Sequence, residues 1–296
     1  MKKYLVLGGS GFIGRHLVKK LSSMGSVRVF DRQECVFSDV EKEIETITGD
    51  FSTVCMEDII SGVDTIYHLI STTTPSDDTS LSINDMAYNV IPTIKLLEAM
   101  AVKGDKKLVY ISSGGTVYGD IKVPATEETP LKPVCSYGIQ KATIEMYIRL
   151  YNRHRGIPAI TARLSNPYGT GQQERRRQGV IPIFAQSIKN SRAVEVWGDG
   201  STVRDFIHID DAIEALAVLD KYSGKYSTFN IGCGTGHSIL EIIDMISKQL
   251  KIEPIINFLP ARKCDVPYNV LDVGLIKQEL NWSAKTTLEQ GIKMLL

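Results

Sequence analysis

No charge of one sign is in excess: 34 Lys and Arg stand against 34 Asp and Glu, for a formal net charge of zero. Without a global positive field, the chain is not expected to bind nucleic acid or an anionic membrane, and any anionic ligand must be met by local groups. Long hydrophobic runs are also missing, since none approaches the ~18 consecutive apolar residues of a membrane span. The opening Met1-Lys2-Lys3 passes directly into Tyr4-Leu5-Val6-Leu7, an apolar stretch too short for a secretory signal. The expectation is a cytoplasmic protein. Cysteine is sparse: Cys35, Cys55, Cys135, Cys233 and Cys264 are scattered, with no CxxC. That pattern suits reduced thiols, not a disulfide framework or a zinc site, and no metal is expected.

What is present is ordinary globular material. Hydrophobic residues make up 43% of 296, and charged residues 23%, which supports a sizeable core. Strand-like runs fall at Tyr4 to Leu7, Val27 to Phe30, Thr46 to Thr48, Thr65 to Leu69, Leu108 to Ile111 and Ala159 to Leu164. Helical patterns lie between them, at Ile13 to Met24, Ile83 to Val102 and Ser136 to His154, with later ones at Asp210 to Leu219 and Ile239 to Leu250. Alternating strands and helices predict an α/β fold with a doubly wound parallel sheet. Pro92 should kink or break its helix. The organisation expected is a Rossmann cofactor domain at 1–166, with 203–231 returning to it. A smaller α/β substrate domain takes 167–202 and 232–296, and the ligand site lies between the two.

Two local patterns carry chemistry. Gly8-Gly9-Ser10-Gly11-Phe12-Ile13-Gly14 follows an apolar strand and opens an amphipathic helix. Backbone amides and the helix dipole can there meet a pyrophosphate. Asp31 ends the second strand, where a carboxylate binds ribose hydroxyls and repels a 2′-phosphate, so NAD is favoured over NADP. Arg32 beside it works against that preference, because a guanidinium accepts phosphate. The second pattern is Tyr137-Gly138-Ile139-Gln140-Lys141, a phenol and an ammonium four residues apart on one helix face. A lysine charge beside a phenol should lower its pKa from ~10 towards neutrality and make it a base. Upstream, Ser112-Ser113-Gly114-Gly115-Thr116 places hydroxyls at a strand's carboxyl end, the ligand side of an open sheet.

With these motifs in this order the chain resembles the extended short-chain dehydrogenase/reductase family, in particular nucleotide-sugar epimerases and dehydratases of the UDP-glucose 4-epimerase type. The resemblance spans the whole chain: Gly8 to Gly14, Asp31, Gly49-Asp50, His68-Leu69, Asn89, Ser112 to Gly119, Tyr137, Lys141, Arg163 to Gly169, Gly198 to Gly200, Val203 to Asp211, Arg262, Asp265 and Leu280-Asn281-Trp282. It implies a nucleotide-sugar substrate, a homodimer through a four-helix bundle, and NAD held by Gly8, Gly11, Phe12, Ile13, Gly14, Asp31, Arg32, Asp50, Phe51, Leu69, Ile70, Ser71, Asn89, Ser112, Leu164 and Ser165 together with Tyr137 and Lys141. Tyr137 would be the base and Lys141 would hold the nicotinamide ribose. Thr72, Thr116, Asn166, Val180, Arg204, Arg262 and Asp265 would bind substrate beside Tyr137.

Three departures stand out. Gly114 occupies the position of the family's catalytic Ser or Thr, so the hydroxyl role passes to Ser113 or Thr116 or is absent. Thr116 is favoured by its place two residues before Tyr118, where dehydratases carry a substrate-facing acid. Gly115 and Thr116 replace the Asp-Glu pair that 4,6-dehydratases use, which disfavours dehydration. Leu7 replaces a common Thr. Other features take bland readings: Arg175-Arg176-Arg177 as a solvated loop face, His208 as a hydrogen-bonded structural residue, and His68 as a site residue or packing. The function implied is inversion at carbon 4 of a nucleotide-diphosphate hexose, most simply a UDP-sugar, through a 4-keto intermediate. The alternatives are an NAD(P)H-dependent 4-ketoreductase of a deoxy-sugar nucleotide and a non-catalytic NAD-binding scaffold.

Overall fold

A computed structural model gives the structure at residues 1–38, 40, 44–75, 82–172, 179–262 and 265–296. The Arg175-Arg176-Arg177 run and Cys264 lie outside these described residues. Strand β1 (Lys3–Leu7) is followed by α1 (Phe12–Ser22), which buries Leu17, Val18 and Leu21 and exposes Arg15 and Lys19. Next come β2 (Ser26–Asp31), β3 (Glu45–Thr48), the single turn α2 (Met56–Ile59) and β4 (Thr65–His68). A helical stretch starts at α3 (Ser82–Asp85), widens into a π turn at Met86–Val90 and continues as α4 (Ile91–Lys103). Pro92 accounts for the widening. It has no N–H to offer the preceding turn, and the neighbouring Ile91 N–H reaches back to the Met86 carbonyl. The expected interruption at Pro92 thus takes the form of a π turn just ahead of it.

Strand β5 (Lys107–Ser113) runs into the one-turn α5 (Gly114–Val117), and the long α6 (Ser136–Arg155) ends at Gly156 in the left-handed region (φ 65°). After β6 (Ala159–Leu164) come β7 (Asn166–Tyr168), α7 (Val180–Lys189), β8 (Val194–Trp197) and β9 (Val203–His208). The chain continues through α8 (Ile209–Leu219), β10 (Thr228–Ile231), β11 (Gly236–Ser238), α9 (Ile239–Leu250), β12 (Ile256–Leu259), β13 (Tyr268–Asn269), α10 (Gly274–Leu280) and α11 (Leu288–Leu295).

Seven parallel strands form one sheet in the order β10-β6-β5-β4-β1-β2-β3. Alternation along β1 shows why it is covered on both faces. Tyr4 and Val6 join the core under α1 and α8, while Leu5 and Leu7 join the core under α4 and α6. This is the doubly wound α/β fold expected from the strand and helix rhythm. β9 lies in a second sheet with β7, β11 and β13, and β8 pairs with β12, whereas β10 belongs to the large sheet and α8 packs on it. A third core joins α7, α9 and α11 in the smaller half. Among the described residues Cys35, Cys55 and Cys233 are free thiols, and no helix is long and apolar enough to cross a membrane.

One buried ion pair ties α6 to β6 of the sheet. Arg163 and Glu145, with side chains 3% and 1% exposed, meet at 2.7 Å. Glu145 also accepts from the Ser112 hydroxyl, and Arg163 Nη1 donates to the Tyr118 hydroxyl at 2.9 Å. Removing one partner leaves a buried charge unpaired, which costs about 3–5 kcal/mol. Arg163→Leu should therefore lower stability by about that amount in urea unfolding, and Arg163→Leu/Glu145→Leu by less. Equal losses for the single and double variants would contradict the pairing.

Candidate active site

The glycine loop is built on close approach. Gly8 has φ +89°, and a Cβ on Gly14 would lie 2.2 Å from the Gly8 carbonyl oxygen. Gly11 caps α1 with no side-chain acceptor, and the first turn carries no acidic residue, so no side chain of that turn competes for its amides. Phe12 and Ile13, half-buried, form the rest of that turn. Asp31 Oδ2 accepts from the Ser10 N–H at 2.9 Å, which brings the carboxylate to the loop. Free helix amides for a pyrophosphate, with a carboxylate for ribose hydroxyls, fit a dinucleotide.

Loops after neighbouring strands close around it. Ile70 N and Leu69 C lie 3.2 and 3.3 Å from where a Gly8 Cβ would be. Asp50 accepts from the Ser52 N–H and hydroxyl at 2.8 and 2.6 Å and meets Arg32 at 3.6 Å. Those Ser52 hydrogen bonds, with Arg32 nearby, hold its carboxyl below the usual range. Arg32 is thus engaged with Asp50. Phe51 is buried edge-on against His68, and Leu164 is in the core. Ser165 packs against Asp205. In the π turn, Asn89 clamps Thr72 twice: Oδ1 accepts its N–H and Nδ2 donates to its hydroxyl, both at 2.9 Å. Ser71 takes a hydrogen bond from Gln140 at 3.3 Å, which joins this loop to α6.

Tyr137 sits in the first turn of α6 with Lys141 one turn on. Lys141 Nζ lies 5.6 Å from the Tyr137 ring centre and 4.9 Å from that of Tyr110, and donates to the Ile111 carbonyl at 2.9 Å. Burial lowers its pKa to about 8, opposed by Glu145. The phenol behaves differently from the expectation. Burial pushes Tyr137 well above its ordinary value; Cys135 and Asp85 add to this, and the Ser113 hydroxyl pulls the other way. Lys141 does not bring the phenol towards neutrality, because desolvation of a buried oxyanion outweighs it. Ser112 is spent on Glu145, whereas Ser113 faces Tyr137. Three buried polar atoms near this point lack a partner among the described residues: Thr116 Oγ1, Gln140 Oε1 and Asn269 Oδ1. His68, held neutral with a pKa lowered to about 3 by burial and then Lys141, bonds Thr93 at 2.8 Å. His208 accepts from the Asp210 N–H and caps α8.

Across from the phenol, Asn166 Nδ2 donates to the Asp205 carbonyl at 2.8 Å, and Val180 opens α7. Arg262 grips Asp265 through two bonds of 2.8 and 3.1 Å and lies over the Trp197 ring at 5.3 Å. Arg204 is near enough to both that Asp265 raises and Arg262 lowers its pKa, although burial lowers it most. Two guanidiniums sharing one carboxylate leave a positive excess suited to a diphosphate. Sequence reading missed Asn269, Trp197 and Glu145. Only Glu145 had a local signal, being four residues after Lys141 on the same helix face.

Residues 4–232 match the model of the NAD dependent epimerase/dehydratase family. The chain belongs to this family. As a member it takes NAD, the cofactor expected from the glycine loop. It is 31% identical, over 98% of its own length and 95% of the relative, to a putative UDP-glucose 4-epimerase of Methanocaldococcus jannaschii. A dTDP-4-dehydro-6-deoxyglucose reductase of Escherichia coli is 29% identical, over 99% of this chain and 96% of the relative. Among solved structures, the UDP-glucose 4-epimerase of Thermotoga maritima with UDP-glucose has a TM-score of 0.91 at 30% identity, covering 99% of this chain and 96% of that one.

Asp31 generates a cofactor prediction within this family. Asp31→Ser removes the charge that repels a 2′-phosphate, so the Kd ratio for NADP over NAD, measured by calorimetry, should fall at least about ten-fold. Stronger binding of NADP than NAD by the unmutated protein would overturn the role of Asp31.

Proposed function

We propose that this protein inverts carbon 4 of a nucleotide-diphosphate hexose, with a UDP-sugar as the substrate class, through a transient 4-keto sugar. The observation that carries the reading is the meeting of Tyr137, Lys141 and Ser113 where β5 ends, with Arg204 and Arg262 gathered around Asp265. Tyr137 takes the proton of the 4-hydroxyl, directly or through Ser113, and returns it on the other face. Lys141 orients the cofactor's ribose and sets positive charge near the phenol, while Arg204 and Arg262 hold the diphosphate. NAD held by the glycine loop and Asp31 would supply the hydride acceptor and donor for carbon 4. Thr72 borders the sugar, Asn166 joins the two arginines on the diphosphate, and Val180 borders the nucleotide. On this reading, residues 1–166 with 203–231 hold the cofactor, and 167–202 with 232–296 hold the nucleotide sugar.

A second reading is a 4-ketoreductase of a deoxy-sugar nucleotide using the same residues. The similarity to the Escherichia coli reductase, equal in extent to that of the epimerases, favours it. A panel of UDP- and dTDP-sugars, with products read by NMR, separates the two. Conversion without added reductant supports epimerisation, and turnover only of 4-keto sugars with NAD(P)H supports reduction.

Tyr137→Phe keeps the ring packing and loses the acid–base oxygen, so turnover should fall 10²–10⁴-fold while NAD binding persists. Activity within a few-fold of the parent would sink the mechanism.

The protein assembles, on this reading, as a dimer through α4 and α6. These helices and the π turn expose the apolar side chains Met86, Tyr88, Ile91, Ile139, Met146 and Leu150. Light scattering should give twice the chain mass, and Met146→Asp/Leu150→Asp should give a monomer. A parent protein that is monomeric at micromolar concentration rules the interface out.

A further inference from the structure

A side chain at Gly114 would run into Leu271 as it is packed. A Cβ there would lie 2.6 and 2.9 Å from the two methyl carbons of Leu271 and 3.1 Å from the Arg163 carbonyl oxygen. Gly115 differs: the nearest atoms to a Cβ there are the Asn166 amide, at 3.6 and 3.9 Å, and Ser113 Oγ at 3.8 Å. The segment that supplies Leu271 grips Gly114 a second time, because Asn269 Nδ2 donates to its carbonyl at 3.1 Å.

This segment is itself pinned. The Leu271 N–H donates to Asp205 Oδ2 at 3.4 Å, a carboxylate that also takes the Cys233 and Gly234 N–H groups. Ala125 bonds it on both sides, to the Val270 carbonyl at 2.9 Å and from the Asp272 N–H at 2.8 Å. Leu271 is wholly buried with Val117, Tyr118, Ala125 and Ala142. Arg262 and Asp265 stand just upstream on the same segment, so the chain that grips the diphosphate also clamps the turn carrying the catalytic hydroxyl.

We propose that Leu271 and Asn269 are positioning residues that keep residue 114 free of a side chain and thereby assign the proton-shuttling hydroxyl to Ser113. In the step so assigned, the substrate's 4-hydroxyl O–H breaks and its proton goes to Ser113 Oγ. The proton of Ser113 goes to the Tyr137 phenolate, and the C4–H bond breaks with its hydride going to the nicotinamide that bound NAD would supply, which leaves the 4-keto sugar. The proposal rests on the reading of Tyr137 as the acid–base group.

The test is rescue. Ser113→Ala should lower kcat at least ten-fold with KM within three-fold. Adding Gly114→Ser to it should restore nothing while Leu271 is present. The triple variant Ser113→Ala/Gly114→Ser/Leu271→Ala should regain at least ten-fold in kcat, because the hydroxyl then has space. Normal kcat in Ser113→Ala, rescue without Leu271→Ala, or no rescue in a folded triple variant each overturns the proposal. Melting temperatures give a second measurement independent of turnover. Gly114→Ser should lower Tm by at least about 3 °C in the parent and by less in the Leu271→Ala background. Equal losses in both backgrounds overturn the steric claim. A parent protein inactive on every sugar nucleotide refutes the functional reading instead, and the melting cycle then decides on Leu271 alone.

Discussion

Seven parallel strands impose the constraint on which the rest depends. Parallel neighbours cannot be joined by hairpins, so each strand end must feed a crossover that returns to the far edge. Every carboxyl end therefore emerges on one side. Gly8, Asp31, Leu69, Ser113 and Leu164 close or follow β1, β2, β4, β5 and β6, and the order β6-β5-β4-β1-β2 sets them side by side. The site is assembled by topology before any side chain is chosen. Chemistry then enters through the loops, where backbone is free of the ladder.

Burial is the second determinant, and it acts on both members of the Tyr137–Lys141 pair in the direction of neutrality. The phenol rises and the ammonium falls to about 8. A proton is thus costly to remove from Tyr137 and cheap to remove from Lys141, compared with water. Glu145 counters this for Lys141 from the next turn of the same helix, and Arg163 pairs with Glu145 at 2.7 Å. The same low dielectric that penalises each charge strengthens the field of every fixed dipole, including the Ile111 carbonyl that receives Lys141.

Much of this was legible in the sequence. Strand and helix periods gave the doubly wound sheet, since both faces of β1 are apolar and α1 alternates at helical spacing. The loop at Gly8 to Gly14, Asp31 and the Tyr137–Lys141 spacing are local, and local patterns survive without knowledge of the fold. The short strands β7, β8, β11 and β13 were not legible, because a run of two to four residues has no measurable period. Nor was the direction of the Tyr137 shift: sequence shows the neighbouring charge but not the desolvation, which depends on what packs above the ring.

Gly114 shows where such reading stops. In sequence it is a missing hydroxyl, and two nearby hydroxyls compete to replace it, with Thr116 slightly favoured over Ser113. In the fold it is a contact with Leu271, more than a hundred residues away along the chain. The glycine and the leucine account for each other, since one supplies the space that the other fills. A departure from a family motif therefore need not be a loss of function at that position. It is the local mark of a long-range packing choice, and on the proposed reading the chemistry moves to the neighbour that the packing leaves facing the phenol. Here that neighbour is Ser113, the last residue still held by β5 and so the hydroxyl with the least freedom to turn away.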